Sequence, residues 1–159
     1  MSVQEVRAYL NQWDLGDRVM EMDMSSATVD LAAKAVGVIP ARIAKTLSFR
    51  DENGCILIVT AGDAKIDNQK FKGLFGMKAK MLSPEEVLFY TGHPIGGVCP
   101  FALRRSDICV YTDISLKRFQ TVFPACGSSN SAVELTCDQL FVVSGSKDWI
   151  DVCKQWTES

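Results

Sequence analysis

The stretch that decides the fold reads Thr91-Gly92-His93-Pro94-Ile95-Gly96-Gly97-Val98-Cys99-Pro100-Phe101. It contains three glycines, two prolines and the only histidine of the chain. Glycine tolerates positive φ and a close approach of other groups, whereas proline restricts φ and has no N–H donor. Packing of the apolar side chains inward would leave the amides of Gly96 and Gly97 facing a ligand. A tight turn between two elements is the plainer alternative, because Gly-Gly is common in turns.

Length and composition predict one domain over residues 1–159. The six cysteines form no CxxC pair and there is a single histidine, so zinc-ligand spacing is absent and neither a metal nor a cofactor is expected. A net charge of −2 argues against strong non-specific binding of nucleic acid. No apolar run has transmembrane length and the N-terminus does not resemble a signal peptide, which predicts a cytoplasmic protein without a membrane partner.

An unusual lysine lies in a segment with the period of a β-strand. Residues 44–50 alternate so that Leu47 and Phe49 share one face, and period two places Lys45 on that same apolar face. Burying an ammonium costs several kcal/mol unless it is paired or faces a cavity. The alternative is that Lys45 lies at the strand end and extends its ammonium to water.

The remaining patterns predict an α+β fold. Asp51-Glu52-Asn53-Gly54 indicates a hairpin turn, and residues 55–61 form an apolar strand of the kind found at the centre of a sheet. Capping residues predict helices that begin after Thr28, Asp67, Ser83 and Thr136. Further strands are predicted over residues 19–24 and 77–81. Many short turns favour a single domain with a curved, mixed, mostly antiparallel sheet, a partial barrel flanked by helices.

The motifs of common enzymes are absent. The chain has no GxSxG, no HExxH, no P-loop and no dinucleotide fingerprint. What remains is one inward lysine, one glycine loop with amide donors, and one turn of hydroxyls and an amide, Gly127-Ser128-Ser129-Asn130. Such groups can polarise a carbonyl while water attacks it, and one oxyanion donor is typically worth about 3–4 kcal/mol in the transition state.

Three segments together resemble the YbaK-type aminoacyl-tRNA editing family, which includes the prolyl-tRNA synthetase editing insertion and its free-standing relatives. They are Ile43-Ala44-Lys45-Thr46-Leu47, Gly92-His93 with Gly96-Gly97-Val98-Cys99-Pro100-Phe101, and Gly127-Ser128-Ser129 with Val133-Glu134-Leu135. The resemblance implies a trans-editing hydrolase. Its substrate would be tRNA, with tRNA-Pro favoured, mischarged with a small amino acid such as alanine. Its partners would be the 3′ aminoacyl-adenosine end and, as an open alternative, an aminoacyl-tRNA synthetase.

The resemblance also implies site residues. Lys45 would be critical for catalysis, with the backbone of Gly96 and Gly97 as the other catalytic groups. Substrate-binding roles would fall to Thr46, Leu47, His93, Ile95, Val98, Cys99, Pro100, Ser128, Ser129 and Asn130. The chain departs from alanine-specific members at Asn130-Ser131, where some carry histidine, and from the cysteine-specific branch at Ala132, where aspartate is found.

Two alternatives to this mechanism stay open at the level of sequence. One is a cysteine hydrolase that uses Cys99 with His93 as its base. The other is a non-catalytic module that binds a nucleotide or a tRNA end without turnover.

Overall fold

The computed structural model describes residues 2–52 and 54–156. The helices are α1 Ser2–Leu10, α2 Val29–Val36, α3 Asn68–Phe75, α4 Pro84–Thr91 and α5 Cys137–Val143, with 3₁₀ turns at Asn11–Trp13, Gly16–Arg18, Pro40–Arg42 and Ile114–Arg118. The strands are β1 Met20–Glu21, β2 Ile43–Asp51, β3 Gly54–Ala61, β4 Lys65–Ile66, β5 Cys109–Asp113, β6 Thr121–Pro124, β7 Ser131–Ala132, β8 Leu135–Thr136, β9 Ser146–Ile150 and β10 Cys153–Lys154.

Six strands form the main sheet, in the order β8-β6-β2-β3-β5-β9. β2 and β3 pair antiparallel from Ala44 opposite Ala61 to Asp51 opposite Gly54. The pairs β2–β6, β3–β5 and β5–β9 are parallel, and β6–β8 is antiparallel. With the small ladders β1–β7 and β4–β10, antiparallel pairings outnumber parallel ones among the described residues. The predicted α+β fold with a curved, half-barrel sheet is confirmed.

The core is built on both faces of β3. Leu57, Ile58 and Val59 are fully buried, as the continuous apolar run predicts. On α1, Val6 and Leu10 are buried in the same cluster, because their spacing places them on one face of the helix. The cluster extends from Val3 to Cys153, so one core joins the two ends of the described chain.

Local capping chemistry sets the helix ends. The side chains of Thr28, Asp67, Ser83 and Thr136 each accept a hydrogen bond from the first turn of the helix that follows. Ser83 and Thr136 form reciprocal capping boxes with Glu86 and Gln139. Gly37, Gly76 and Gly92 end α2, α3 and α4 in the left-handed conformation. The four helix starts are therefore predicted correctly.

Of two further predicted strands, the one at residues 19–24 is shorter than predicted and the one at residues 77–81 does not form. Within residues 19–24 only Met20–Glu21 pairs, because its partner β7 is itself only two residues long, and Met20 and Met24 are exposed. Residues 77–81 contribute a single bridge, between Met81 and Phe49. The predicted hairpin turn includes Asn53, which lies outside the described residues, but the strands on both sides of it pair as expected. None of the helices in ranges 2–52 and 54–156 has the length and apolar character needed to cross a bilayer.

We expect Phe71→Ala to lower the free energy of unfolding by about 3–5 kcal/mol, because it leaves a cavity where a fully buried ring packs against two other aromatic rings. The Phe71 ring lies 5.0 Å from that of Phe49 and 4.7 Å from that of Phe75. Leu74→Ala on the same helix is the control, since Leu74 is half exposed and its truncation should change stability by less than about 0.5 kcal/mol. Urea titrations compare the two variants, and equal losses would contradict this account of the core.

Candidate active site

A cavity of about 250 Å³ opens beside β2. Its walls come from β2, the residues that lead into α2, the start of α4, the loop that follows α4, and β6–β7. Most of the lining is small or aliphatic, and among the described residues it includes no carboxylate, imidazole or thiol. Lys45 is the one charged side chain that the described residues contribute to that lining.

Lys45 lies on β2, and its ammonium is held by backbone carbonyls. Lys45 Nζ donates to Ala64 O at 2.5 Å and to Gly62 O at 3.4 Å, both in the loop between β3 and β4. Burial lowers the pKa of this ammonium below its ordinary value, and the nearby charge of Asp63 opposes that shift. A lysine ammonium has three N–H donors, so these two carbonyls leave one donor for another group. Lys45 is half-buried, as its place on the apolar face of β2 predicts, but Thr46 and Ser48 on the opposite face are buried as well, so both faces of the strand are covered.

The loop at residues 91–101 contributes Ile95, Gly96 and Val98 to the cavity wall. Gly96 has φ +92° and packs against Ala27, so that an added Cβ would lie 3.4 Å from the Ala27 Cβ. Such a φ favours glycine. The Gly96 N–H has no hydrogen-bond partner within the described residues. Gly96 therefore keeps the free amide that the sequence predicts.

Gly97 differs from its neighbour. Its N–H donates to Pro94 O at 3.0 Å, and its carbonyl accepts from Gly127 N at 2.9 Å. An added Cβ would lie 2.6 Å from Ser128 N, so the two turns pack backbone against backbone. The prediction of a free amide at Gly97 is wrong, because that donor closes the turn itself.

The turn at residues 127–130 lies outside the cavity lining. Asn130 Nδ2 donates to Met22 O at 3.0 Å, and Met22 N donates to Asn130 O at 2.7 Å. Ser129 O accepts from Ser26 N, and Ser128 Oγ donates to Asn130 Oδ1. None of the side chains of Ser128, Ser129 and Asn130 lines the cavity, so their predicted contact with substrate stays a prediction. They hold the segment that carries Ser26 into the cavity wall.

His93 and Cys99 form a buried pair away from the cavity. His93 Nε2 lies 2.6 Å from Phe101 O and 3.6 Å from Cys99 Sγ. Burial raises the pKa of the Cys99 thiol to about 12 and lowers the pKa of His93. A thiolate at neutral pH is therefore disfavoured, and neither side chain reaches the cavity. The alternative of a Cys99/His93 hydrolase is wrong for this geometry, and both residues, like the buried Pro100, shape the loop from behind.

Sequence reasoning predicted Thr46 and Leu47 in the site but missed Ser26. All three line the cavity. Ser26 Oγ and Thr46 Oγ1 are buried without a hydrogen-bond partner in the described part of the chain. A buried hydroxyl without a partner costs about 1–3 kcal/mol, a penalty that a polar ligand group can relieve. The one signal for Ser26 was a run of small residues, Ser25-Ser26-Ala27, directly before the Thr28 cap.

Similarity to known proteins covers the same segments that build the cavity. A profile of the aminoacyl-tRNA editing domain matches residues 24–141, most of the chain. The chain belongs to the aminoacyl-tRNA editing domain family. The resemblance noted from the three sequence segments is thereby confirmed. No three His, Cys, Asp or Glu side chains of this editing domain come together as a metal site would require, within the described residues.

Relatives of this editing domain include both free-standing chains and parts of synthetases. The uncharacterised protein YwhH of Bacillus subtilis (strain 168) is 61% identical over 98% of this chain and 99% of its own length. A proline–tRNA ligase of a Thermotoga species (strain RQ2) is 27% identical over 58% of this chain, which corresponds to 16% of the ligase. A crystal structure described as that of a candidate trans-editing enzyme for prolyl-tRNA synthetase superimposes with a TM-score of 0.87 at 30% identity, over 96% of this chain and 97% of that one.

The burial of His93 predicts a loss of stability as pH falls. The unfolded chain binds a proton at His93 below about pH 6.5, whereas the folded chain does not until lower pH because burial lowers the pKa. The unfolded state then binds more protons, so we expect unfolding to become easier by up to about 1.4 kcal/mol per pH unit below 6.5. Urea titrations from pH 8 to pH 5 measure this slope. The slope should flatten in His93→Gln, and an unchanged slope would contradict the assignment.

Proposed function

We propose that this editing domain is a trans-editing hydrolase that deacylates tRNA, with tRNA-Pro favoured, mischarged with a small amino acid such as alanine. The observation that carries the proposal is Lys45, the one charged residue in the described lining of a small cavity, with its ammonium held by backbone carbonyls. Membership of the editing family and the similarity to a candidate trans-editing enzyme for prolyl-tRNA synthetase support it. One domain over 1–159 and a cytoplasmic location stay predictions of the sequence.

The chemistry needs an electrophile and a water molecule. The free N–H of Lys45 and the amide of Gly96 polarise the ester carbonyl and stabilise the oxyanion that forms when water attacks the carbonyl carbon. The bond from that carbon to the ribose oxygen then breaks. The amino acid leaves as a carboxylic acid, and the ribose oxygen takes a proton to restore the 3′ hydroxyl. The described lining offers no carboxylate, imidazole or thiol to activate one of its hydroxyls, so the proposed route takes water as the nucleophile and depends on electrostatic stabilisation.

The size of the cavity supports a small acyl group. At about 250 Å³ it lies below the roughly 300–1,000 Å³ of typical ligand pockets. Walls such as Leu47, Val98 and Ala132 can exclude bulky side chains by contact. A synthetase pocket rejects a smaller substrate by only about 1–3 kcal/mol per missing methylene, which is why a second, smaller site is useful.

The mouth of the cavity supports an extended ligand. Met81 and Ile95 line it and are each about 60% exposed. The aminoacyl group would enter between them, and the terminal adenosine would stay outside against their apolar surface. Exposed apolar groups at the rim of a pocket are typical of binding surfaces. The 3′ end of a mischarged tRNA has this shape, with a small buried group on a larger nucleoside.

We expect Lys45→Ala to lower kcat for hydrolysis of alanyl-tRNA-Pro by about 100- to 1,000-fold, because it removes one oxyanion donor. Lys147→Ala is the matched control, since Lys147 is an exposed lysine on strand β9 at the edge of the sheet. Release of labelled amino acid from purified mischarged tRNA measures the rates. Wild-type hydrolysis by Lys45→Ala would exclude this role for the lysine.

A panel of mischarged tRNAs separates the proposed hydrolase from a non-catalytic binding module. We expect the wild-type domain to release amino acid fastest from tRNA charged with small residues, because the cavity restricts the acyl group. Binding of tRNA ends without release across the whole panel would establish the binding module instead. Repeating the panel with prolyl-tRNA synthetase added tests whether a synthetase is a partner.

A further inference from the structure

The last residue of β3 and the first two residues of the loop that holds Lys45 are each fixed by a different contact. Ala61 N donates to Ser115 Oγ at 3.1 Å. Gly62 lies against the 3₁₀ turn at residues 40–42, so closely that an added Cβ would be 2.1 Å from Pro40 O. Asp63 then pairs with Arg118. The carbonyls of Gly62 and Ala64 that accept from Lys45 flank this Asp63.

The Asp63–Arg118 pair has the geometry of a rigid clamp. Arg118 Nη1 donates to Asp63 Oδ2 at 2.9 Å, and Nη2 donates to Oδ1 at 2.5 Å, so the contact is bidentate. Arg118 Nε donates to Ser115 O at 2.8 Å, and the guanidinium lies 4.9 Å and 5.0 Å from the ring centres of Phe119 and Trp156. The side chain of Arg118 is 7% exposed. A fork that is buried and held on several sides fixes the direction of its partner better than an exposed pair does.

We propose that Asp63 and Arg118 are positioning residues that hold the Gly62 and Ala64 carbonyls in place, so that two donors of Lys45 are occupied and the third points into the cavity. Asp63 and Arg118 themselves stand outside the cavity lining, so the clamp acts through Lys45. The effect that we expect on deacylation rests on the proposed function. The effect that we expect on the titration of Lys45 does not.

Charge adds a second effect to the geometry. Burial lowers the pKa of Lys45, Asp63 raises it, and the charge of Lys65 lowers it. Cys153 also faces the ammonium, but burial raises the pKa of its thiol so that it is neutral at physiological pH. Asp63 is therefore the nearby carboxylate whose charge opposes the effect of burial on the pKa of Lys45.

The experiment compares Asp63→Asn with Asp107→Asn. Asp63→Asn removes the charge beside Lys45, whereas Asp107→Asn removes a carboxylate from an exposed pair with Arg105. We expect Asp63→Asn to lower kcat for deacylation by about 10- to 100-fold with KM nearly unchanged, because a misplaced catalytic group slows the chemical step. The alkaline limb of its pH–rate profile should move to lower pH, because Lys45 loses its proton more readily. Asp107→Asn should match the wild type in both.

Nitrogen-detected NMR of the Lys45 side chain measures the titration of its ammonium independently of any deacylase activity. The titration of Lys45 Nζ should shift to lower pH in Asp63→Asn and stay in place in Asp107→Asn. Arg118→Lys keeps the Asp63 charge but loses the fork, so it should lower kcat while moving the Lys45 titration much less than Asp63→Asn does. If Asp63→Asn fails to fold, Arg118→Lys still tests the positioning role.

The outcomes separate the two claims. Wild-type kcat and an unshifted Lys45 titration in Asp63→Asn would overturn the positioning role even if the wild type deacylates tRNA. A wild type that hydrolyses no mischarged tRNA would remove the proposed function, and the NMR titration would then decide the inference alone.

Discussion

One constraint underlies the structure: the half-buried ammonium of a lysine on a central strand needs hydrogen-bond acceptors that are fixed in place. Lys45 Nζ finds them in the carbonyls of Gly62 and Ala64, at the end of the neighbouring strand β3. Removing a charge from water is expensive unless hydrogen bonds replace the lost hydration. Backbone carbonyls provide those bonds without cancelling the charge, so the ammonium remains able to act on a ligand. A carboxylate in direct contact would have satisfied Lys45 equally well but would have neutralised its field.

The sheet orients this lysine, and the loops around it form the walls of the cavity. β2 sets the direction of Lys45, because strand pairing with β3 fixes which face each side chain occupies. The loop at residues 91–101 closes one side of the cavity, where Gly96 meets Ala27. The turn at residues 127–130 holds the segment before α2 through Met22 and Ser26, and it packs on Gly97. The three segments that carry the family resemblance therefore form one unit in space, although only two of them line the cavity.

Much of the fold follows from local rules that the sequence displays. The caps at Thr28, Asp67, Ser83 and Thr136 need only residues within one helical turn, and the position of β3 follows from a continuous apolar run. The strands predicted at residues 19–24 and 77–81 do not form in full, because their formation depends on distant residues and not on local ones. Their alternation is real, but a strand forms only where a partner lies alongside, and the partner is decided elsewhere in the chain. The fully buried Cys99 and His93 show the same limit, since a nucleophile and a base close in sequence are also consistent with a packed core.

The sequence by itself determined the family, the α+β class and the side of β2 on which Lys45 lies, because motif spacing, capping and period two are local properties. Only the tertiary structure decided which amides stay free, that Ser26 joins the cavity, and that Asp63 and Arg118 clamp the loop beneath Lys45. The physical reason is that hydrogen-bond donors and ion pairs are assigned by contacts between distant segments. Gly96 and Gly97 are identical in sequence terms, yet one amide has no partner among the described residues and the other closes a turn.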